Sequence, residues 1–156
     1  MKIALGADHA GFELKEHVKR LLTAQGIQVE DRGTHSHDSV DYPDFAREVG
    51  EQVVRGHADF GILVCGTGIG MSMSANKIAG IRAAKADTEY EAEMARAHND
   101  ANVLCLGARV TDAATAEKLA RKFLETSFEG GRHQRRVDKI MAIERSENSL
   151  ATDRTD

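Results

Sequence analysis

The chain is poor in proline, poor in cysteine and without a surplus of positive charge. It holds one Pro and two Cys among 156 residues, and its 21 Lys and Arg stand against 25 Asp and Glu, a formal net charge of −4. That balance argues against nucleic acid as the main partner, because neutralising phosphates takes an excess of basic residues. Cys65 and Cys105 are too few and too far apart for a disulfide framework. No apolar run approaches the roughly 20 residues of a membrane span. The start, Met1-Lys2-Ile3-Ala4-Leu5-Gly6, turns polar too soon for a signal peptide. Together these absences lead us to expect a reduced, cytoplasmic protein that works without nucleic acid or membrane.

What is present is an alternation of short apolar runs with helix-period segments. The runs are Ile3–Ala7, Ile27–Glu30, Phe60–Cys65, Ile81–Ala84 and Val103–Gly107. Between them, Leu14, Val18, Leu21 and Leu22 recur at helical spacing, as do Ala116, Leu119, Ala120, Phe123 and Leu124. Segments Asp44–Arg55 and Thr88–Ala97 fill the second and fourth crossovers, and Pro43 suits a helix start. Five strands joined by helical crossovers predict one α/β domain, a five-stranded parallel, doubly wound sheet with helices on both faces. After Gly130-Gly131 a basic helix is expected over Arg132–Glu144, with Val137, Ile140, Met141 and Ile143 on its apolar side. No strand follows it, so a second subunit is the expected cover for that side. Residues 1–145 are read as the domain and 146–156 as a disordered tail.

Ligands of such sheets bind beyond the carboxyl ends of the strands, near the switch in strand order. The residues to weigh are therefore Asp8-His9-Ala10-Gly11, Cys65-Gly66-Thr67-Gly68-Ile69-Gly70 and, before the fifth run, His98-Asn99-Asp100-Ala101-Asn102. All three groups are expected on one rim. The glycine loop is no dinucleotide fingerprint, because its third glycine would have to stand where Met71 does. Gly6 and Gly11 have phosphate-loop spacing, but Phe12 and Glu13 replace the needed Lys and Ser/Thr.

Each feature also has a plain structural explanation. A glycine loop can be a tight turn, His98 a helix C-cap, Asp8 and His9 a cap pair, and Arg132 and Arg136 a solvated basic face. Cys65 differs from Cys105, which sits inside an apolar run. Cys65 ends a buried strand before a helix N-terminus, an environment that favours a thiolate. Arg132 and Arg136, four apart on one helix face, suit a clamp on a phosphate monoester. The loop His35-Ser36-His37-Asp38, with Asp41 nearby, lacks a second ligand cluster and is read as polar loop, not metal site.

Taken together, these stretches resemble the type B ribose-5-phosphate isomerase family, which also holds isomerases of galactose 6-phosphate and allose 6-phosphate. The matching segments include Gly6-Ala7-Asp8-His9-Ala10-Gly11-Phe12, Asp41-Tyr42-Pro43 and Cys65-Gly66-Thr67-Gly68-Ile69-Gly70. Further on come His98-Asn99-Asp100-Ala101-Asn102, Gly107-Ala108-Arg109 and Glu129-Gly130-Gly131-Arg132-His133-Gln134-Arg135-Arg136-Val137. They run in register to about residue 145.

The resemblance implies a Rossmann-like domain and aldose–ketose isomerisation of D-ribose 5-phosphate and D-ribulose 5-phosphate through ring opening and a cis-enediolate. Cys65 would be the base. Thr67 and His98 would help open the furanose ring, with His98 as proton donor. Asp8 and Asn99 would hold sugar hydroxyls. Backbone groups of the Gly66–Gly70 loop, with Ile69 between its last glycines, would hold the enediolate oxygen. His9, Arg109, Arg132 and Arg136 would take the phosphate. It also implies a homodimer, with a tetramer as the alternative, whose sites are shared between subunits. No metal and no cofactor are expected. A branch of the family lacks the cysteine and uses a glutamate one residue after the loop's last glycine; here that position is Met71, so Cys65 has no substitute. The galactose-6-phosphate members generally lack the cysteine, so its presence favours the ribose branch. An isomerase of six-carbon sugar 6-phosphates and a non-catalytic phosphate-binding module remain as alternatives.

Overall fold

In a computed structural model the backbone is described for residues 1–153 and the side chains for residues 1–146. Five strands form one sheet: β1 (Lys2–Ala7), β2 (Gln28–Asp31), β3 (Phe60–Cys65), β4 (Ala83–Lys85) and β5 (Val103–Gly107). Every pairing is parallel and the order is β2-β1-β3-β5-β4. The order reverses between β1 and β3, so a crevice opens beyond their carboxyl ends.

Side chains alternate across the strands and feed two cores. Ile3, Leu5, Ile62, Val64, Leu104 and Leu106 point to one face, where α1 (Phe12–Ala24), α4 (Glu89–Ala97) and α5 (Ala113–Glu125) cover them. Ala4, Leu63, Cys65, Val103 and Cys105 point to the other, under α2 (Tyr42–Val54) and α3 (Ile69–Ala75). The helix starts follow local chemistry. Pro43 sits in the first turn of α2, and Thr88 and Glu91 form a capping box on α4. Gly26, at φ +76°, follows the C-cap of α1.

The last helix, α6 (Arg132–Asp153), runs past the expected end at Glu144. Ser146–Asp153 holds neither Gly nor Pro to stop it. Where a disordered tail was expected, the backbone is therefore helical to Asp153, and the rest of that tail lies outside the described residues.

Two further features fix the site's framework. Gly11 packs against the end of β3 so closely that a Cβ there would lie 2.3 Å from the Val64 carbonyl oxygen. Under the same turn, the Lys15 side chain is completely buried. Its ammonium donates to both Asp31 oxygens at 2.7 and 2.8 Å and to Glu16 at 2.9 Å. This ties α1 to the end of the edge strand β2. Burial alone would raise the Asp31 pKa, but hydrogen bonds from Lys15, Lys19 and the Gly33 N–H outweigh it and hold the value at about 2.

Two outcomes are expected. The folded Asp31 pKa lies below the ordinary 3.8, so its stabilisation is complete above about pH 4 and is lost as pH falls toward 2. Asp31→Asn should therefore lower stability by about 2–3 kcal/mol at neutral pH. Its deficit against wild type, followed by urea melts, should shrink between pH 4 and 2; a constant deficit would contradict this. Gly11→Ala must push α1 off the Val64 carbonyl and should cost about 2–3 kcal/mol in the same melts, against little change for a surface control such as Arg20→Ala.

Candidate active site

Beyond the ends of β1 and β3 the chain makes two turns that hold each other. The Asp8 N–H donates to the Val64 carbonyl at 3.2 Å, and Asp8 Oδ1 accepts the Gly11 N–H at 3.0 Å. Asp8 thus does cap its turn, as the plain explanation requires. Its Oδ2 makes no bond among the described residues. His9 is half-buried beside it, with Nδ1 accepting the Val40 N–H at 3.2 Å.

Cys65 closes β3, buried on the face covered by α2 and α3. The Gly68 N–H donates to its Sγ at 3.2 Å, and the Ile69 N–H donates to Thr67 Oγ1 at 3.2 Å. The bend that aims Gly68 back at the sulfur needs φ +81°, a conformation that favours glycine. The loop is clamped to the end of β5, because Cys65 and Gly66 carbonyls accept the Ala108 and Arg109 N–H groups at 2.8 and 2.9 Å. The Arg109 guanidinium lies over Gly66, where a Cβ would sit 2.9 Å from Nη1. The first-turn N–H groups of α3 have no partner one turn back within the helix, as at any helix start. Asp8, His9, Cys65, Thr67 and Arg109 therefore share one rim.

One residue on this rim carried no role in the sequence reading. The Tyr42 ring stacks on Gly70, where a Cβ would lie 2.6 Å from Cε2 and Cζ and 3.0 Å from the hydroxyl oxygen. Its place as the first residue of α2 gave no signal alone, because the contact with Gly70 is made between α2 and α3.

The remaining expected site residues are elsewhere, and here the one-rim expectation is corrected. Residues that precede a parallel strand lie at its amino end. Asn102 accepts the Gly61 N–H through its carbonyl and the Arg82 N–H through Oδ1, both at strand starts. The Arg82 guanidinium donates to the carbonyls of Asn99 and Asp100. His98 and Asn99 therefore sit toward the amino ends of the strands, away from Cys65 at the carboxyl end of β3, and Gly61 and Cys65 alone are about 13 Å apart along that strand. Arg132 and Arg136 go with them, since His133 stacks on His98 with ring centroids 4.0 Å apart. Both arginines are exposed.

His98 and His133 also flank Glu129, whose Oε2 is 3.9 Å from His98 Nε2 and 3.3 Å from His133 Nε2. These three ligand atoms lie within 4.8 Å of one another. The imidazoles are only 12° from parallel, so their lone pairs lie in two stacked planes and do not converge on one ion. Burial first, then the neighbouring His98 and Arg132, lowers the His133 pKa. Cys105 behaves as expected of a packing residue: fully buried, with burial and then Cys65 pushing its thiol well above the ordinary range.

The model of the family described as Ribose/Galactose Isomerase matches residues 3–140. Ribose-5-phosphate isomerase B of Escherichia coli (strain K12) is 47% identical over 147 residues, covering 94% of this chain and 99% of that one. The solved ribose-5-phosphate isomerase B of Clostridium thermocellum superposes with a TM-score of 0.93 at 48% identity, covering 94% and 99% of the two chains. That of Mycoplasma genitalium, with bound ribulose-5-phosphate, gives 0.89 at 43% identity over 92% and 96%. By sequence and by fold, this chain belongs to the ribose/galactose isomerase family.

Proposed function

We propose that this chain interconverts D-ribose 5-phosphate and D-ribulose 5-phosphate. The observation that carries the reading is Cys65 at the switch point, its Sγ on the Gly68 N–H, with Asp8, His9 and Arg109 around it. Proton transfer between C1 and C2 of an open-chain sugar needs a base beside the carbon and donors on the oxygen that turns enediolate. Cys65 takes the C2 proton and returns it to C1, while the proton of the C2 hydroxyl passes to the C1 oxygen. Backbone N–H groups of the Gly66–Gly70 loop hold the oxygen. Asp8, with Oδ2 unused, accepts a sugar hydroxyl. His9 and Arg109 hold the phosphate. Thr67 assists ring opening.

Ring opening also needs an acid, and on this rim none is supplied by His98 of the same chain. We place His98 of the partner subunit there, with Asn99 of the partner subunit on a hydroxyl and Arg132 and Arg136 of the partner subunit on the phosphate. The far edge supports this reading. Ile140 and Ile143 on α6 are 43% and 63% exposed beside a cavity of about 610 Å³ between α6 and the β4 edge. A second copy would cover them. We assign the isomerase domain to residues 1–145. A base that works only as a free thiol fits a reducing, cytoplasmic compartment.

A coupled assay with ribose 5-phosphate and allose 6-phosphate tests the reading, and turnover of the five-carbon sugar is expected to dominate. Cys65→Ser should lower kcat by about 10²–10⁴-fold, since loss of a positioned base costs that much, while Cys105→Ser keeps near-normal turnover. Equal kcat for wild type and Cys65→Ser would remove Cys65 as the base. The shared site is checked by refolding Cys65→Ala together with Arg136→Ala. Each mixed dimer has one intact site, so random pairing should restore about a quarter of wild-type activity. No recovery, with mixed dimers present by native mass spectrometry, places the site within one chain.

A further inference from the structure

The segment between β2 and α2 contains His35 and His37, which the reaction scheme does not use. It is nevertheless fastened to the rim at several points. Thr34 N–H donates to the Ala7 carbonyl at 2.7 Å. The His37 ring meets the edge of Phe12 with centroids 4.9 Å apart, and its Nε2 lies 2.8 Å from Glu13 Oε1. Both contacts are on the first turn of α1, just after His9. The loop then presents the Val40 N–H to His9 Nδ1 at 3.2 Å and passes through Asp41 into Tyr42, whose ring lies on Gly70.

A backbone N–H can only donate. The nitrogen it faces must carry a lone pair, so the single proton of the neutral imidazole is on the other nitrogen. We infer that the 34–41 loop is a positioning device that fixes His9 as its Nε2–H tautomer, through the Val40 N–H, so that His9 serves the sugar phosphate as a hydrogen-bond donor and not as a base. The loop's two jobs are linked by sequence. Val40 and Tyr42 are two residues apart, so a loop held by His37 on Phe12 sets the His9 tautomer and the tyrosine over the glycine loop together. Neither His35 nor His37 then has to touch substrate.

The substrate part of this inference rests on the rim of Cys65 being the sugar-phosphate site; the tautomer does not. Long-range ¹H–¹⁵N correlation spectra of the histidine-labelled full chain, at a pH where imidazoles are neutral, read the tautomer directly. The His9 signals, identified by their loss in His9→Gln, should show a protonated Nε2 and an unprotonated Nδ1. A protonated Nδ1, or averaged signals from both tautomers, overturns the proposal whatever the activity. Val40→Pro removes the donor and should shift His9 to averaged signals; unchanged signals in a folded Val40→Pro protein also overturn it. The donor role is read by kinetics. Glutamine can place an N–H near the Nε2 position and asparagine only near Nδ1, so His9→Gln should retain about tenfold more kcat/KM for ribose 5-phosphate than His9→Asn. The reverse order refutes the donor role. Absence of isomerase activity in the wild type refutes the assigned reaction and leaves the spectrum to decide the tautomer.

Discussion

All five strands point the same way, and a sheet built so has two unlike ends. At one, β1 and β3 part company where the strand order reverses, and backbone groups there are released from the ladder to bind something else. At the other, loops arrive from helices and enter strands, and their polar groups are spent on holding those entries. The Asn102 side chain binds the Gly80 carbonyl and the Arg82 N–H just before β4, and the Arg82 guanidinium binds the Asp100 carbonyl in the loop that leads into β5. The direction of the strands therefore decides which residues can share a pocket within one chain. It separates Cys65 from His98 whatever their chemical affinity for the same substrate.

The rim of Cys65 is made precise by short-range constraints that all come from close backbone approach. Gly11 lets α1 begin against the Val64 carbonyl, and Gly68 turns an N–H back on the sulfur. The loop is then stitched to β5 through Ala108 and Arg109. Side chains enter afterwards, with Arg109 over one glycine and Tyr42 over another. The buried ion pair of Lys15 with Asp31 holds the neighbouring helix and edge strand to the same frame.

Much of this was legible in the sequence. Strands β3 and β5 fall where their apolar runs begin and end, because both are buried on two faces and show an unbroken signal. The edge strands β2 and β4 are offset by one or two residues from Ile27–Glu30 and Ile81–Ala84, since half-exposed strands carry a weaker pattern and their isoleucines flank them. Cys65, Thr67, Asp8 and His9 were recognisable from position at strand ends, and Arg109 only through the family resemblance. The placement of His98 and Asn99 went wrong because their chemistry was weighed without the chain's direction. Lys15 and Asp31 stand 16 residues apart, with a helix between them, and no local pattern pairs them. Tyr42 needed the three-dimensional meeting of α2 and α3.

The buried lysine has a consequence outside catalysis. An acylating reagent or an acetyltransferase needs the free amine of Lys15 in solvent, and in the native fold that amine is enclosed by two carboxylates and the α1–β2 seam. The side chain is reachable only when the seam parts. Its acylation rate, compared with that of exposed Lys118 on α5, thus counts the openings that free this amine. Once acylated there, Asp31 keeps Lys19 but has lost the buried one of its two ammonium partners, so a single opening captured by the reagent leaves a molecule that cannot close in the same way.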